Sequence, residues 1–315
     1  MPNLMLTNWC NYKCPYCFGI DCMSPKIAKK NMPLQTFRDI ITWLSKTSEK
    51  TIHLMGGEPT LHPDFEDIAA YLLERDFHIT VFSNLATTQA QGYAQKLYDL
   101  PVEWVVNINA PSTWNSEQRE RIMKTLKILG QRAAITFNVM PDDDNSGWAI
   151  ELIKECDLKK CIKVGFVLPT VTGSNYYLND EQYEIVAEKV VELAQNAEKD
   201  SIRLEYECGV PTCVFSEEQL GLLWDSGSKF ESSCCSRMDI TPDGEIIYCL
   251  PLATRQAVHF SKFDTYPETK QWFEMKLMPL RRLGRTENCY KCNLMRSDSC
   301  NGGCLAKMLL NAKNI

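Results

Sequence analysis

The chain lacks the features that direct a protein to or through a membrane. Its start, Met1-Pro2-Asn3-Leu4-Met5, has no basic segment followed by an apolar one, and no apolar run approaches the ~20 residues that span a bilayer. A cytoplasmic location without membrane contact is therefore expected. The chain also lacks a large excess of one charge: 34 basic and 40 acidic residues are mixed along it, for a formal net charge of −6. That balance leaves no broad electrostatic footprint for nucleic acid. The short basic cluster Arg281, Arg282 and Arg285 is read as a solvated face. No low-complexity linker interrupts the sequence.

Cysteine, by contrast, is plentiful: fifteen in 315 residues. In a reducing compartment thiols stay reduced, so metal ligation explains them better than a disulfide framework. Four fall in the first 22 residues, two at 156 and 161, and nine between 208 and 304, which predicts two metal-bearing regions. Cys156 and Cys161 read as ordinary buried thiols at a helix end and a strand start. Cys22 is read as structural.

From residue 4 to about 200, strand-like runs at 4–9, 51–55, 79–84, 103–109, 134–139 and 162–168 alternate with helical periods at 34–48, 63–75, 88–98, 116–129 and 147–156. A sixth helix begins at a capping box formed by Asn179 and Gln182. Six such units predict an α/β fold, a partial open (β/α)6 barrel over residues 1–200, followed by a small cysteine-rich domain over 201–315. One face of the strands is apolar (Ile52, Leu54, Ile79, Val81, Val106, Ile108, Ile135, Phe137, Val164, Phe166, Leu168) and should meet the outer helices. The other carries Thr51, His53, Thr80, Asn84, Asn107, Asn109, Thr136, Asn138 and Lys163, where a closed eight-stranded barrel would be filled with branched aliphatics. A wet, ligand-sized interior is expected. In the second region, strands at 238–241 and 245–249 should form a hairpin around Pro242-Asp243-Gly244.

Cys10, Cys14 and Cys17 follow directly on the first strand. A cubane iron-sulfur cluster takes one thiolate per iron, so three leave one iron open to a small molecule, whereas structural zinc needs four ligands. The loop reads Cys10-Asn11-Tyr12-Lys13-Cys14-Pro15-Tyr16-Cys17-Phe18-Gly19, and the second strand ends in Gly56-Gly57-Glu58-Pro59. In these residues the sequence resembles the radical S-adenosylmethionine (SAM) superfamily. The resemblance implies a 4Fe-4S cluster on Cys10, Cys14 and Cys17 whose open iron chelates SAM. It further implies that Gly56, Gly57, Glu58 and Pro59 receive the methionine ammonium and that Tyr16 lies against the adenine. Asn84, Asn109 and Asn138 match cofactor-contacting positions by strand position alone.

Nine cysteines remain: Cys208, Cys213, Cys234, Cys235, Cys249, Cys289, Cys292, Cys300 and Cys304. Cys234, nine residues, Gly244, four residues and Cys249, then Cys289-x-x-Cys292 and Cys300-Asn301-Gly302-Gly303-Cys304, resemble the SPASM extension of that superfamily. Two departures stand out. Seven residues separate Cys292 from Cys300 where five are common, and the usual further cysteine is missing from the eleven residues after Cys304. One or two auxiliary 4Fe-4S clusters are implied, with Cys208 or Cys213 supplying the missing ligand or one cluster keeping an open iron. Zinc is the alternative occupant. Nine thiols against eight sites leave one spare, in the simplest reading Cys234 or Cys235.

By the same resemblance, reductive cleavage of SAM would yield a 5′-deoxyadenosyl radical that takes a hydrogen atom from substrate. Members with the extension commonly modify peptides or proteins, so peptide maturation is the leading expectation and small-molecule radical dehydrogenation the alternative. A non-catalytic iron-sulfur electron carrier is the reading outside enzymes, but it leaves Gly56-Gly57-Glu58-Pro59 without a purpose. Cys249 is followed by Leu250, whereas sulfatase-oxidising relatives carry an acidic residue there. Nine residues precede Cys10, so a separate recognition protein or direct groove binding is expected, with a flavodoxin or ferredoxin as reductant.

Overall fold

The computed structural model describes residues 2–23, 27–142, 146–206, 208, 210–229, 234, 237–284 and 286–312. Its framework is set by the strands, whose β-branched and aromatic side chains suit a pleated backbone. The chain runs β1 (Asn3–Thr7), α1 (Ile20–Met23), α2 (Leu34–Leu44), β2 (Thr51–Gly56), α3 (Phe65–Leu73), β3 (His78–Ser83), α4 (Ala90–Leu97), β4 (Val102–Asn107), α5 (Ser116–Leu129), β5 (Ala133–Val139), α6 (Trp148–Cys156), β6 (Cys161–Phe166), α7 (Asp180–Glu198) and β7 (Arg203–Tyr206). Each strand from β1 to β6 pairs in parallel with the next. The six βα units are thus followed by a further parallel strand, β7, whose four residues are too few to carry a clear period.

The second region comprises α8 (Glu217–Asp225), β8 (Asp239–Ile240), β9 (Glu245–Ile247), β10 (Ala257–His259), α9 (Tyr266–Leu277), α10 (Asn293–Arg296) and α11 (Leu305–Ala312). The expected hairpin is present as β8 and β9, paired antiparallel. It does more than lie on the barrel: β8 pairs in parallel with β1, Asn3 opposite Asp239. The result is one ten-stranded sheet in the order β10-β9-β8-β1-β2-β3-β4-β5-β6-β7. No helix among the described residues is long and apolar enough to cross a membrane.

The two strand faces separate as the alternation predicts. Ile52, Leu54, Val81, Val106, Ile135 and Val164 share one core with Phe37 and Leu44 of α2, Phe65 and Leu72 of α3, and Leu126 of α5. On the other face Asn107 is exposed, Lys163 and Asn138 are half-buried and His53 is buried. Burying the outward face, at roughly 25 cal/mol per Å2 of apolar area, holds the helices against the sheet. The capping box on α7 forms in both directions, Gln182 N–H to Asn179 Oδ1 at 2.8 Å and Asn179 N–H to Gln182 Oε1 at 2.9 Å. Such a cap contributes about 1 kcal/mol.

Two expectations need correction. β1, β3, β4 and β6 end one or two residues earlier than the apolar runs suggest, so Asn84 and Asn109 lie just beyond β3 and β4. After β3 the chain leaves the ladder at once, Leu85 taking a left-handed φ of 56°. Arg281 is not on a solvated face: it is 4% exposed, inside the second region. Arg282 is exposed, and Arg285 lies outside the described residues.

Candidate active site and auxiliary cysteine group

The loop carrying Cys10, Cys14 and Cys17 is held by the end of β2. Gly57 N–H donates to the Thr7 carbonyl and Glu58 N–H to the Trp9 carbonyl, each at 2.8 Å. A Cβ on Gly56 would fall on the Thr7 carbonyl, and one on Gly57 would fall on the Trp9 carbonyl and crowd the Cys10 amide. Both glycines therefore let β2 close on the start of the cysteine loop.

Glu58 is buried, and its carboxylate is a knot rather than an open ligand. Oε1 accepts from Thr60 N–H at 3.1 Å, Thr60 Oγ1 at 2.7 Å and Ser83 Oγ at 2.8 Å, while Oε2 accepts from Asn84 N–H at 2.8 Å. Burial pushes this carboxyl up and the four donors oppose it. Pro59 opens the short turn Pro59–Leu61 that Glu58 caps.

Asn84 turns back toward the cysteines. Its Nδ2 donates to Asn11 Oδ1 at 2.9 Å and lies 3.9 Å from Cys10 Sγ, and its Oδ1 accepts from Ala86 N–H at 2.9 Å. Across the barrel mouth the Tyr16 hydroxyl donates to Asn109 Oδ1. The structure thus joins two pairs of sequence-predicted residues, Cys10 with Asn84 and Tyr16 with Asn109. Asn138 is separate, on the inner face of β5 beside Gly165 of β6. A Cβ at Gly165 would fall on Asn138 Oδ1.

The three thiols are half-buried, and Tyr12 N–H donates to Cys10 Sγ at 3.3 Å. Burial pushes the Cys10 thiol up to about 12, with Glu58, Cys14 and Cys17 adding repulsion. Burial raises Cys14 and Cys17 as well. A cationic group removes that penalty by taking the thiolates as ligands, so the donor set suits an iron-sulfur cluster. Among the described residues no three of His, Cys, Asp or Glu are grouped to hold a single metal ion.

Two residues that sequence reasoning missed complete this site. Asn175, 6% exposed, donates from Nδ2 to the carbonyls of Tyr16 at 3.2 Å and Leu168 at 2.9 Å and accepts Thr170 N–H at 2.9 Å. Its neighbour Tyr176 donates N–H to Pro15 at 2.9 Å, and Val171 N–H donates to Pro251 at 2.8 Å. The loop after β6 therefore straps the cysteine loop to the segment following Cys249. A loop asparagine gives no sequence signal for this. Gly165 did give one, since an isolated glycine inside a strand marks close approach.

In the second region Cys249 is half-buried, and its thiol is pushed well up by desolvation and then by Cys234, Cys304, Asp239 and Cys208. Cys304 is raised to about 11 by burial and then by Cys234. Cys208, Cys234 and Cys304 thus each act on Cys249, and thiols are the donors that an iron-sulfur cluster takes. The Cys234 N–H donates to Asn301 Oδ1 at 3.2 Å, fastening it to the loop before Cys304. Cys289, Cys292 and Cys300 occupy the preceding turns, where Gly302 N–H donates to Cys300 Sγ at 3.3 Å. Cys213 is exposed on the turn Thr212–Val214. Cys235 lies outside the described residues. Cys156 and Cys161 are buried at the end of α6 and start of β6, as expected.

The model of the radical SAM superfamily matches residues 4–174. The "PqqA peptide cyclase" of Methylorubrum extorquens is 22% identical over 96% of this chain and 79% of that protein. Among solved structures, Streptococcus suis SuiB bound to precursor peptide SuiA superposes with a TM-score of 0.68 at 15% identity, over 97% of this chain and 71% of that one. Native anSMEcpe with bound AdoMet and Kp18Cys peptide gives a TM-score of 0.67 at 17% identity, over 96% and 89%. The two structures share the fold of this chain.

Proposed function

The chain belongs to the radical SAM superfamily, and from that premise we propose that it is a peptide-modifying oxidoreductase acting through SAM and iron-sulfur clusters. The observation that carries the reading is the lodging of Cys10, Cys14 and Cys17 on a loop fastened to Gly57 and Glu58 and flanked by Asn84. A 4Fe-4S cluster held there by Cys10, Cys14 and Cys17 would supply the electron for reductive cleavage of SAM and so the means of hydrogen-atom abstraction from substrate.

This chain's residues orient that chemistry. In our reading Tyr16 and Asn109 form one wall of the cofactor site and Asn84 another, with Asn138 deeper on β5. Glu58 acts by fixing the ends of β2 and β3, and Pro59 by stiffening the exit. The half-buried polar inner face is the surface offered to substrate. The barrel is assigned to residues 1–200 and the auxiliary region to 201–315, whose strands extend the same sheet.

We assign Cys208, Cys234, Cys249 and Cys304 to one auxiliary 4Fe-4S cluster and Cys289, Cys292 and Cys300 to a second site with an open iron. Electrostatic convergence supports the first group. A peptide substrate is supported by the likeness in fold to SuiB and anSMEcpe, both solved with peptide bound. A flavodoxin or ferredoxin would deliver the electron, and a separate recognition protein would present the peptide.

The test is anaerobic reconstitution with iron and sulfide, then dithionite and SAM, with 5′-deoxyadenosine measured chromatographically. Formation that disappears when Cys10, Cys14 and Cys17 are replaced by alanine supports the assignment. No 5′-deoxyadenosine from a fully reconstituted chain would sink it. Peptides encoded beside this gene, followed by mass spectrometry for loss of hydrogen, test the substrate class.

A further inference from the structure

Arg281 lies in the auxiliary cysteine group, 4% exposed. Its Nη2 donates to the Cys234 carbonyl at 2.9 Å and to the Tyr248 hydroxyl at 3.4 Å, and its Nη1 donates to the Gly303 carbonyl at 3.4 Å. Tyr248 precedes Cys249 and Gly303 precedes Cys304. One guanidinium therefore bonds Cys234 itself and the residues that precede Cys249 and Cys304.

The three groups it bonds are all neutral. A guanidinium cannot shed its proton in a protein, so burying one calls for a compensating anion. A thiolate-ligated cluster would supply such a charge, spread over the group.

We propose that Arg281 is the counter-charge of the auxiliary cluster and sets its reduction potential. The inference rests on reading Cys208, Cys234, Cys249 and Cys304 as that cluster's ligands. A four-iron cluster on four thiolates becomes more negative when it takes up an electron. A fixed positive charge in a site of low dielectric favours the more negative state, so it raises the potential. Arg281 is a positioning residue: it acts on the cluster through charge and through the Cys234 and Gly303 carbonyls that it holds.

The test uses the full chain carrying Cys10→Ala, Cys14→Ala and Cys17→Ala, so that only tail clusters contribute, reconstituted and titrated with dithionite under paramagnetic resonance. Arg281→Met is expected to keep its iron and sulfide while its midpoint moves to a more negative potential, and Arg281→Lys to stay near the parent. An unchanged midpoint in Arg281→Met at full iron content overturns the proposal. So does loss of iron from both variants alike, because the side chain is then only scaffolding. If Arg281→Met alone loses iron, the lysine variant decides: a parental midpoint upholds the charge, and a negative shift overturns it. A parent with no tail iron overturns the ligand assignment itself, a failure visible before any Arg281 variant is compared.

Discussion

The backbone N–H of Asn84 donates to Glu58 Oε2 at 2.8 Å, which ties the exit of β3 to the exit of β2 beneath the cysteine loop. Glu58→Ala leaves the Thr60 and Asn84 amides and the Ser83 hydroxyl without their acceptor. Each unsatisfied buried donor costs about 1–3 kcal/mol, so the apo chain should lose roughly 3 kcal/mol or more in urea unfolding. SAM binding by equilibrium dialysis should weaken with it, and Glu58→Gln should be milder on both counts. A variant with wild-type unfolding and affinity would mean that this knot does not position the site.

Gly165 makes room for the Asn138 side chain. Gly165→Ala should push Asn138 aside and weaken SAM binding about tenfold, the loss of roughly one hydrogen bond. Because both changes act through the same group, adding Gly165→Ala to Asn138→Ala should cost little more, a non-additivity measurable in a double-mutant cycle. Fully additive losses would show that the two residues act independently.

His53 faces Asn3, Arg237, Lys163 and Phe82 inside the barrel. Its pKa is pushed down from an ordinary 6.5 to about 3, chiefly by burial and then by the Arg237 and Lys163 charges. A histidine depressed in the folded state stabilises the fold above its unfolded pKa, and that contribution is lost as pH falls toward the folded value. Between pH 6.5 and about 3 the wild type should therefore lose up to roughly 4 kcal/mol relative to His53→Gln. Urea midpoints of the apo proteins against pH measure the difference, and parallel curves would refute it.

Cysteine replacement separates the metal regions. The Cys10, Cys14 and Cys17 triple alanine variant should lose about four irons and all 5′-deoxyadenosine formation while keeping tail iron. Cys208→Ala should also cost about four irons, from the group around Cys249, and Cys213→Ala should be nearly silent. Iron and sulfide analysis decides both. Equal losses at Cys208 and Cys213 would break the proposed ligand set.

Some of this was readable one residue at a time. Alternation along β2, β3, β5 and β6 named the face that meets the helices, because side-chain direction in a strand follows from position alone. The Asn179–Gln182 cap and the turn between β8 and β9 were equally local. The cysteine spacing after β1, with Gly56-Gly57-Glu58-Pro59 after β2, identified the chemistry because those residues act as short contiguous units.

What only the tertiary structure decided lies where distant segments meet. The pairing of β8 with β1 joins residues more than 230 positions apart, and no period in either two-to-five-residue strand encodes it. The close approach of Gly56 to the Thr7 carbonyl and of Gly57 to the Trp9 carbonyl joins the end of β2 to the cysteine loop, a contact that the residues of β2 do not encode by themselves. Arg281 looked solvated because it stands in a basic run, yet the Cys234, Tyr248 and Gly303 segments close around it. Local sequence determines backbone period and side-chain direction, whereas burial and charge compensation depend on which remote chain arrives, and that is a property of the assembled sheet and its cysteine loops.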